Sequence, residues 1–164
     1  MLIKLKNKDT LIVDDFKFKC SIGKNGININ KKEGDNCTPR GTFKFIKLLI
    51  RNDRVKKLKA NLKKLLIKKN MGWCDDPNSK FYNRLIKFPF KHRAEKLWLS
   101  KKIYDLIIII NYNLNPTIKK RGSAIFLHLA KKNYTPTMGC IAVNKKDLLF
   151  LITKINSKTK LIIN

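Results

Sequence analysis

Residues 123 to 147 read SAIFLHLAKKNYTPTMGCIAVNKKD, and the periodicity of this stretch decides the kind of fold to expect. Ala124 to Leu129 and Cys140 to Val143 are apolar runs too short for helices, and both are expected as strands. A polar loop containing Pro136 separates them and ends at Gly139. Asn144 can then cap a helix over Lys145 to Asn156, with Asp147 in its first turn and Leu148, Leu151, Ile152 and Ile155 on one face.

Extended structure dominates on the N-terminal side of this segment too. In 11 to 22, Phe16, Phe18, Cys20 and Ile22 alternate and would share one face of a strand. Gly23 to Gly26 reads as a hairpin turn leading to a short strand at Ile27 to Ile29. Residues 42 to 50 make a second long strand, and Asp105 to Tyr112 is a β-branched run suited to a strand covered on both faces. Val55, Leu58, Leu62, Leu65 and Leu66 have helical spacing over 55 to 69, and a short helix is possible around Ser100 to Tyr104. The expectation is a mainly β (α+β) fold with one or two flanking helices. With 164 residues and no Ser/Gly/Pro-rich linker, it forms a single domain, 1–164.

The charge is lopsided: 38 Lys and Arg against 11 Asp and Glu, a net +27. Only six of the basic residues are arginine, and the lysines are spread along the whole chain. Base readout favours Arg forks on a recognisable module, so no specific nucleic-acid partner is expected, although the field suits an anionic surface such as cell wall or lipid. The longest aliphatic run, Leu106 to Ile110, is far short of a membrane span, and the N-terminus lacks the apolar core of a signal peptide. The reading is therefore cytoplasmic on sequence, or periplasmic if an export signal was trimmed. A monomer is the expected state.

Cys20, Cys37, Cys74 and Cys140 form no C-x-x-C pair, and His92 and His128 lack zinc-finger spacing, so neither a metal nor a cofactor is expected. Cys20 and Cys37 read as small core hydrophobes. Cys140 and His128 are different. Adjacent strands lie about 4.8 Å apart, so a histidine on one can act as base for a cysteine on the next. Gly139 would leave the backbone N–H groups of Met138, Gly139 and Cys140 open to form an oxyanion hole. One His and one Cys twelve residues apart can also be coincidence, and their order disfavours a papain-like arrangement.

The segment His128…Thr137-Met138-Gly139-Cys140-Ile141 resembles the signature of YkuD-type L,D-transpeptidases, in which a strand-borne His precedes Ser/Thr-x-Gly-Cys. Thr38-Pro39-Arg40-Gly41-Thr42-Phe43 is similar to that family's T-P-x-G-x-F turn. Gly72-Trp73-Cys74-Asp75-Asp76-Pro77, Tyr82-Asn83-Arg84 and Gly122 to His128 look like a small branch common in alphaproteobacterial sequences. The matched blocks run in order from about residue 18 to 150. The resemblance implies a β-sandwich-like catalytic domain. It also implies a Cys140 thioester formed on peptidoglycan stem peptides or muropeptides, with His128 as base and the Leu129 carbonyl orienting it. A stem amine as acceptor makes a transpeptidase, and water makes an L,D-carboxypeptidase. A reading of another class is a non-catalytic basic domain that binds cell wall or nucleic acid.

Two departures matter. Met138 stands where many members have a second His, and Ala142 where many have an Arg that holds a substrate carboxylate. Arg84 and Arg121 are the alternative carboxylate anchors, or simply solvated charges. Trp73 and Tyr82 read either as cleft lining or as core. Asp75, Asp76 and Asn83 either bind stem-peptide polar groups or cap turns. His92 is expected at the surface. Over 55 to 69 the resemblance favours an extended, irregular path over the helix.

Overall fold

The computed structural model describes residues 1–164. In chain order the strands are β1 (Leu2–Lys6), β2 (Thr10–Val13), β3 (Phe16–Ser21), β4 (Ile27–Asn28), β5 (Thr38–Pro39), β6 (Gly41–Ile50), β7 (Lys64–Leu66) and β8 (Met71–Cys74). They continue with β9 (Leu85–Lys87), β10 (Ala94–Lys96), β11 (Leu106–Ile110), β12 (Phe126–Leu129), β13 (Ile141–Val143) and β14 (Lys160–Ile163). The one α-helix, α1 (Lys145–Lys154), precedes β14, and 3-10 turns lie at Lys102–Tyr104 and Lys132–Tyr134.

Eight strands follow one another in the order β11-β12-β13-β3-β2-β1-β14-β6, and β6 returns to pair with β11. The sheet thus closes into a barrel, which removes its free edges. This ring stands where the family resemblance implied a sandwich-like arrangement. Closure depends on the two ends of the chain. β1 runs parallel to β14, with Leu2 opposite Lys160 and Leu5 opposite Ile163. Neither strand was expected from the sequence: β1 is interrupted by lysine, and β14 has only four residues.

Other local expectations change as well. Residues 11 to 22 are two strands rather than one: the chain reverses at Asp14, whose φ is +51°, and β2 pairs antiparallel with β3. Phe16 is consequently 55% exposed, while Phe18, Cys20 and Ile22 are buried. The Gly23–Gly26 turn forms, with Gly26 N–H donating to Gly23 O, but it does not make a hairpin. β4 pairs instead with β5, in parallel. Residues 55 to 63 are irregular and β7 docks parallel to β6, Leu49 opposite Leu65, so no helix forms. Lysine-rich sequence imitated the helical period there, and pairing to β6 outweighed that local propensity. α1 forms as capped, Asn144 Oδ1 accepting from Asp147 N–H at 2.9 Å.

β11 shows why its five residues are all apolar. Leu106, Ile108 and Ile110 belong to the main core with Leu127, Leu129, Ile141, Val143 and the buried face of α1. Ile107 and Ile109 point the other way, into a second core with Phe126, Trp73, Leu97, Tyr104 and Cys140. The small sheet β10-β8-β9 supplies Met71 and Trp73 to that second core. Each such aliphatic side chain stabilises the fold by about 1.5–3 kcal/mol. The site lies in this second layer.

Candidate active site

β12 and β13 run parallel, with Leu127 opposite Ile141 and His128 opposite Ala142. Side chains alternate along an extended chain, so His128 on β12 and Cys140, the residue just before β13, emerge on the same face. Both open on one cleft of about 400 Å³ whose walls also include Lys31, Glu33, Glu95, Tyr104 and Ser123. Cys140 is 8% exposed and His128 6%.

The imidazole is held in one sense. His128 Nδ1 lies 2.9 Å from the Leu129 carbonyl oxygen. A carbonyl can only accept, so Nδ1 carries the proton and Nε2 keeps a free lone pair. The Tyr104 ring meets the imidazole edge-on, centroids 5.2 Å apart. Burial drives the histidine pKa down to about 4, outweighing the opposing bond to Leu129. The ring is therefore neutral at pH 7.

The sulfur is also neutral at rest. Cys140 Sγ donates to the Ala124 carbonyl at 3.0 Å and accepts from Phe126 N–H at 3.4 Å. Burial, and after it the charge of Glu95, pushes the thiol up to about 12, against the smaller pull of Phe126 N–H and Lys31. A standing thiolate is thus unfavourable. At rest the thiol proton is directed to the Ala124 carbonyl, and no hydrogen bond joins the sulfur to the His128 ring.

Thr137 to Gly139 form a loop clamped from both sides. Thr137 N–H donates to Ile22 O at 2.8 Å, and Thr137 O accepts from Lys24 N–H at 2.9 Å. Thr38, fully buried, donates its hydroxyl to Gly139 O and accepts from Gly23 N–H, both at 2.9 Å. This gives the Thr38-Pro39-Arg40-Gly41 block a physical purpose: it buttresses the loop that carries Cys140. Of the three amides named for an oxyanion hole, Gly139 N–H is already donated to Thr137 Oγ1 at 3.1 Å. Those of Met138 and Cys140 have no acceptor within the protein. The Met138 side chain is 80% exposed at the cleft rim.

Gly139 adopts φ +135°, and a Cβ there would stand 2.7 Å from Cys37 O. Gly139→Ala is expected to lower stability by about 1–3 kcal/mol through backbone strain. A loop shift of this kind should also cost about 100-fold in turnover. Urea unfolding and turnover of the same preparation check both; unchanged turnover in a folded variant would remove the loop from the machinery.

The structure separates the remaining sequence-named residues. Trp73 and Tyr82 are buried in the core, outside the cleft lining. Asn83, at φ +57°, accepts from Trp73 Nε1–H and Ala124 N–H and donates to Tyr112 O and Asn113 O. It therefore fixes Ala124, the residue whose carbonyl receives the Cys140 thiol. Arg84 is exposed and away from the cleft. Arg121 lines a separate, adjoining groove of about 900 Å³. Asp75 lines the cleft but is paired with Arg93 at 3.1 Å, and Asp76 is paired with the half-exposed His92 at 3.3 Å. Sequence reasoning passed over Lys31, Glu33, Glu95, Tyr104 and Ser123. The two glutamates did carry a signal, since the chain has no others.

A neutral thiol and an oriented neutral imidazole opening on one cleft of a closed β-sheet form an arrangement suited to acyl-transfer chemistry. The family model of the L,D-transpeptidase catalytic domain, YkuD, matches residues 2–163. The chain belongs to that family, whose enzymes act on peptidoglycan peptides. No curated protein matches it. No helix is long and apolar enough to cross a membrane.

Proposed function

We propose that the protein is a cysteine-dependent L,D-transpeptidase acting on peptidoglycan stem peptides through a Cys140 thioester. The observation that carries this is the shared cleft of Cys140 and His128, with the His128 Nδ1 proton committed to the Leu129 carbonyl. Cys140 Sγ attacks the carbonyl carbon of the bond between the L-centre of a diamino acid and the following D-residue. The S–C bond forms, the C–N bond breaks, and the thiol proton passes through His128 Nε2 to the departing amine. In the second half an acceptor amine attacks the thioester, and its proton returns through His128 to sulfur. The free amides of Met138 and Cys140 are the available donors to the oxyanion; one such donor contributes about 3 kcal/mol in comparable enzymes. Hydrolysis of the same thioester would make an L,D-carboxypeptidase.

Incubating the protein with a tetrapeptide stem, with and without an acceptor stem, and weighing the products tests the assignment. A cross-linked dimer with release of the terminal D-amino acid is the expected result. Release without dimer assigns the carboxypeptidase. No release at all rejects both. Action on intact cell wall would require the protein outside the cytoplasmic membrane, whereas trimming of recycled stems would not.

A further inference from the structure

We propose that Lys31 is a further catalytic residue: its ammonium donates to the oxyanion that forms on the substrate carbonyl as Cys140 attacks, beside the amides of Met138 and Cys140. The inference rests on the acyl-transfer reading above and adds a charged side chain to its machinery.

Of the 38 basic residues, only Lys31 and Arg51 are buried. Taking a cation out of water is costly, so its place in a fold calls for a reason. Arg51 is wholly engaged in structure and stays outside the cleft. Its Nε–H and Nη2–H donate to Asp53, its Nη1–H donates to Leu99 O, and the guanidinium lies 3.5 Å over the Trp98 ring. Lys31 instead lines the cavity that holds Cys140 and His128.

Two glycines make room for it there. The stem lies against Gly122, where a Cβ would stand 2.8 Å from Lys31 Cε. The head lies against Gly139, where a Cβ would stand 3.5 Å from Lys31 Nζ. Gly139 is the residue between the two free amides, so the ammonium and those amides border one spot beside the sulfur. An ammonium has three donors. One goes to Asp35 Oδ1 at 2.6 Å and one to Lys32 O at 3.4 Å, and the third has no acceptor within the protein. Asp35 is anchored independently of the lysine, since its carboxylate also accepts from Lys32 N–H at 2.8 Å and Cys37 N–H at 2.9 Å. It therefore holds the ammonium in place before any substrate arrives, the condition under which a donor to a developing charge is most effective. As the S–C bond forms, the carbonyl π pair moves onto oxygen and meets the free N–H of Lys31. The pair returns to carbon as the C–N bond breaks. Lys31 keeps its proton throughout, and the thiol proton follows the His128 route.

Lys31→Met keeps the length of the stem and removes the charge. Two reactions of Cys140 are timed by mass in the wild type and in this variant: acylation by a carbapenem, which passes through an oxyanion, and alkylation by iodoacetamide, which does not. Acylation should slow by about 100- to 1,000-fold, the range for loss of one oxyanion donor, and kcat for release of D-alanine from a tetrapeptide stem should fall alike with KM unchanged. Alkylation should slow far less. A lysine that only ties its loop would, on removal, disturb the sulfur and lower both rates together. Equal falls of the two rates, or unchanged acylation, overturn the inference alone. Alkylation of the buried Cys20 and Cys74 reports any unfolding, and Lys31→Gln provides the same comparison should Lys31→Met fold poorly. If the wild type is alkylated at Cys140 but is not acylated and releases no D-alanine, the acyl-transfer reading falls, and the inference with it.

Discussion

Cys140→Ala should eliminate release of D-amino acid from a stem peptide, a loss of about 10⁴-fold or more, as expected when a covalent nucleophile is removed. The same change should abolish labelling by a carbapenem, whose strained ring acylates a nucleophilic thiol. The wild-type mass should rise by one inhibitor, and the variant mass should not. Alanine at this position forfeits a bond from Phe126 N–H and one to Ala124 O, which costs about 1–3 kcal/mol. A domain of this size should survive that, and a urea unfolding curve verifies it. Three other thiols are present, Cys20, Cys37 and Cys74, all buried and none lining the cleft. Undiminished turnover or labelling in the variant would place the nucleophile elsewhere. If instead no activity is found for either protein and binding to polyanions weakens steeply with salt, the chain is a basic binding domain.

His128→Ala comes next in size, with an expected fall in turnover of about 10²- to 10⁴-fold, the range for loss of a positioned general base. This histidine also ties activity to stability through pH. Burial holds its folded pKa at about 4, against about 6.5 when unfolded. Between those values the unfolded chain binds a proton that the folded protein refuses, so stability rises with pH across that window. The contribution is complete above pH 6.5 and is lost as pH falls towards 4. The difference amounts to about 3 kcal/mol. Urea midpoints of the wild type should therefore drop between pH 7 and pH 4.5 by more than those of His128→Ala. Equal drops would mean that His128 is reached by solvent protons in the folded state. The acid limb of activity should likewise sit near pH 4 rather than near 6.5.

The local signals of the site were legible because they obey short-range rules. The caps and faces of α1 follow from Asn144, Asp147 and the spacing of Leu148 to Ile155. The apolar run at Leu106 to Ile110 announced a strand buried on both sides, and it is one. The histidine and cysteine, twelve residues apart, were singled out by the family resemblance rather than by their spacing. By contrast, β1 and β14 pair across almost the whole length of the chain, and each segment alone is too short to declare itself a strand. The false helix at 55 to 69 is the converse error: a helical spacing was present, but the open side of β6 made a better partner for Lys64 to Leu66.

Composition and periodicity by themselves determined a mainly β chain with one capped helix near its C-terminal end. These depend on side-chain alternation and capping, which act within a few residues. Only the tertiary structure decided that the sheet closes, that Trp73 and Tyr82 belong to the core, and that Asn83 steadies the residue receiving the thiol. It alone brought Glu33, Glu95 and Ser123 to the same cavity as the sulfur. Those contacts join residues scores of positions apart, and their formation is set by how two packed layers meet, a property no local window of sequence contains.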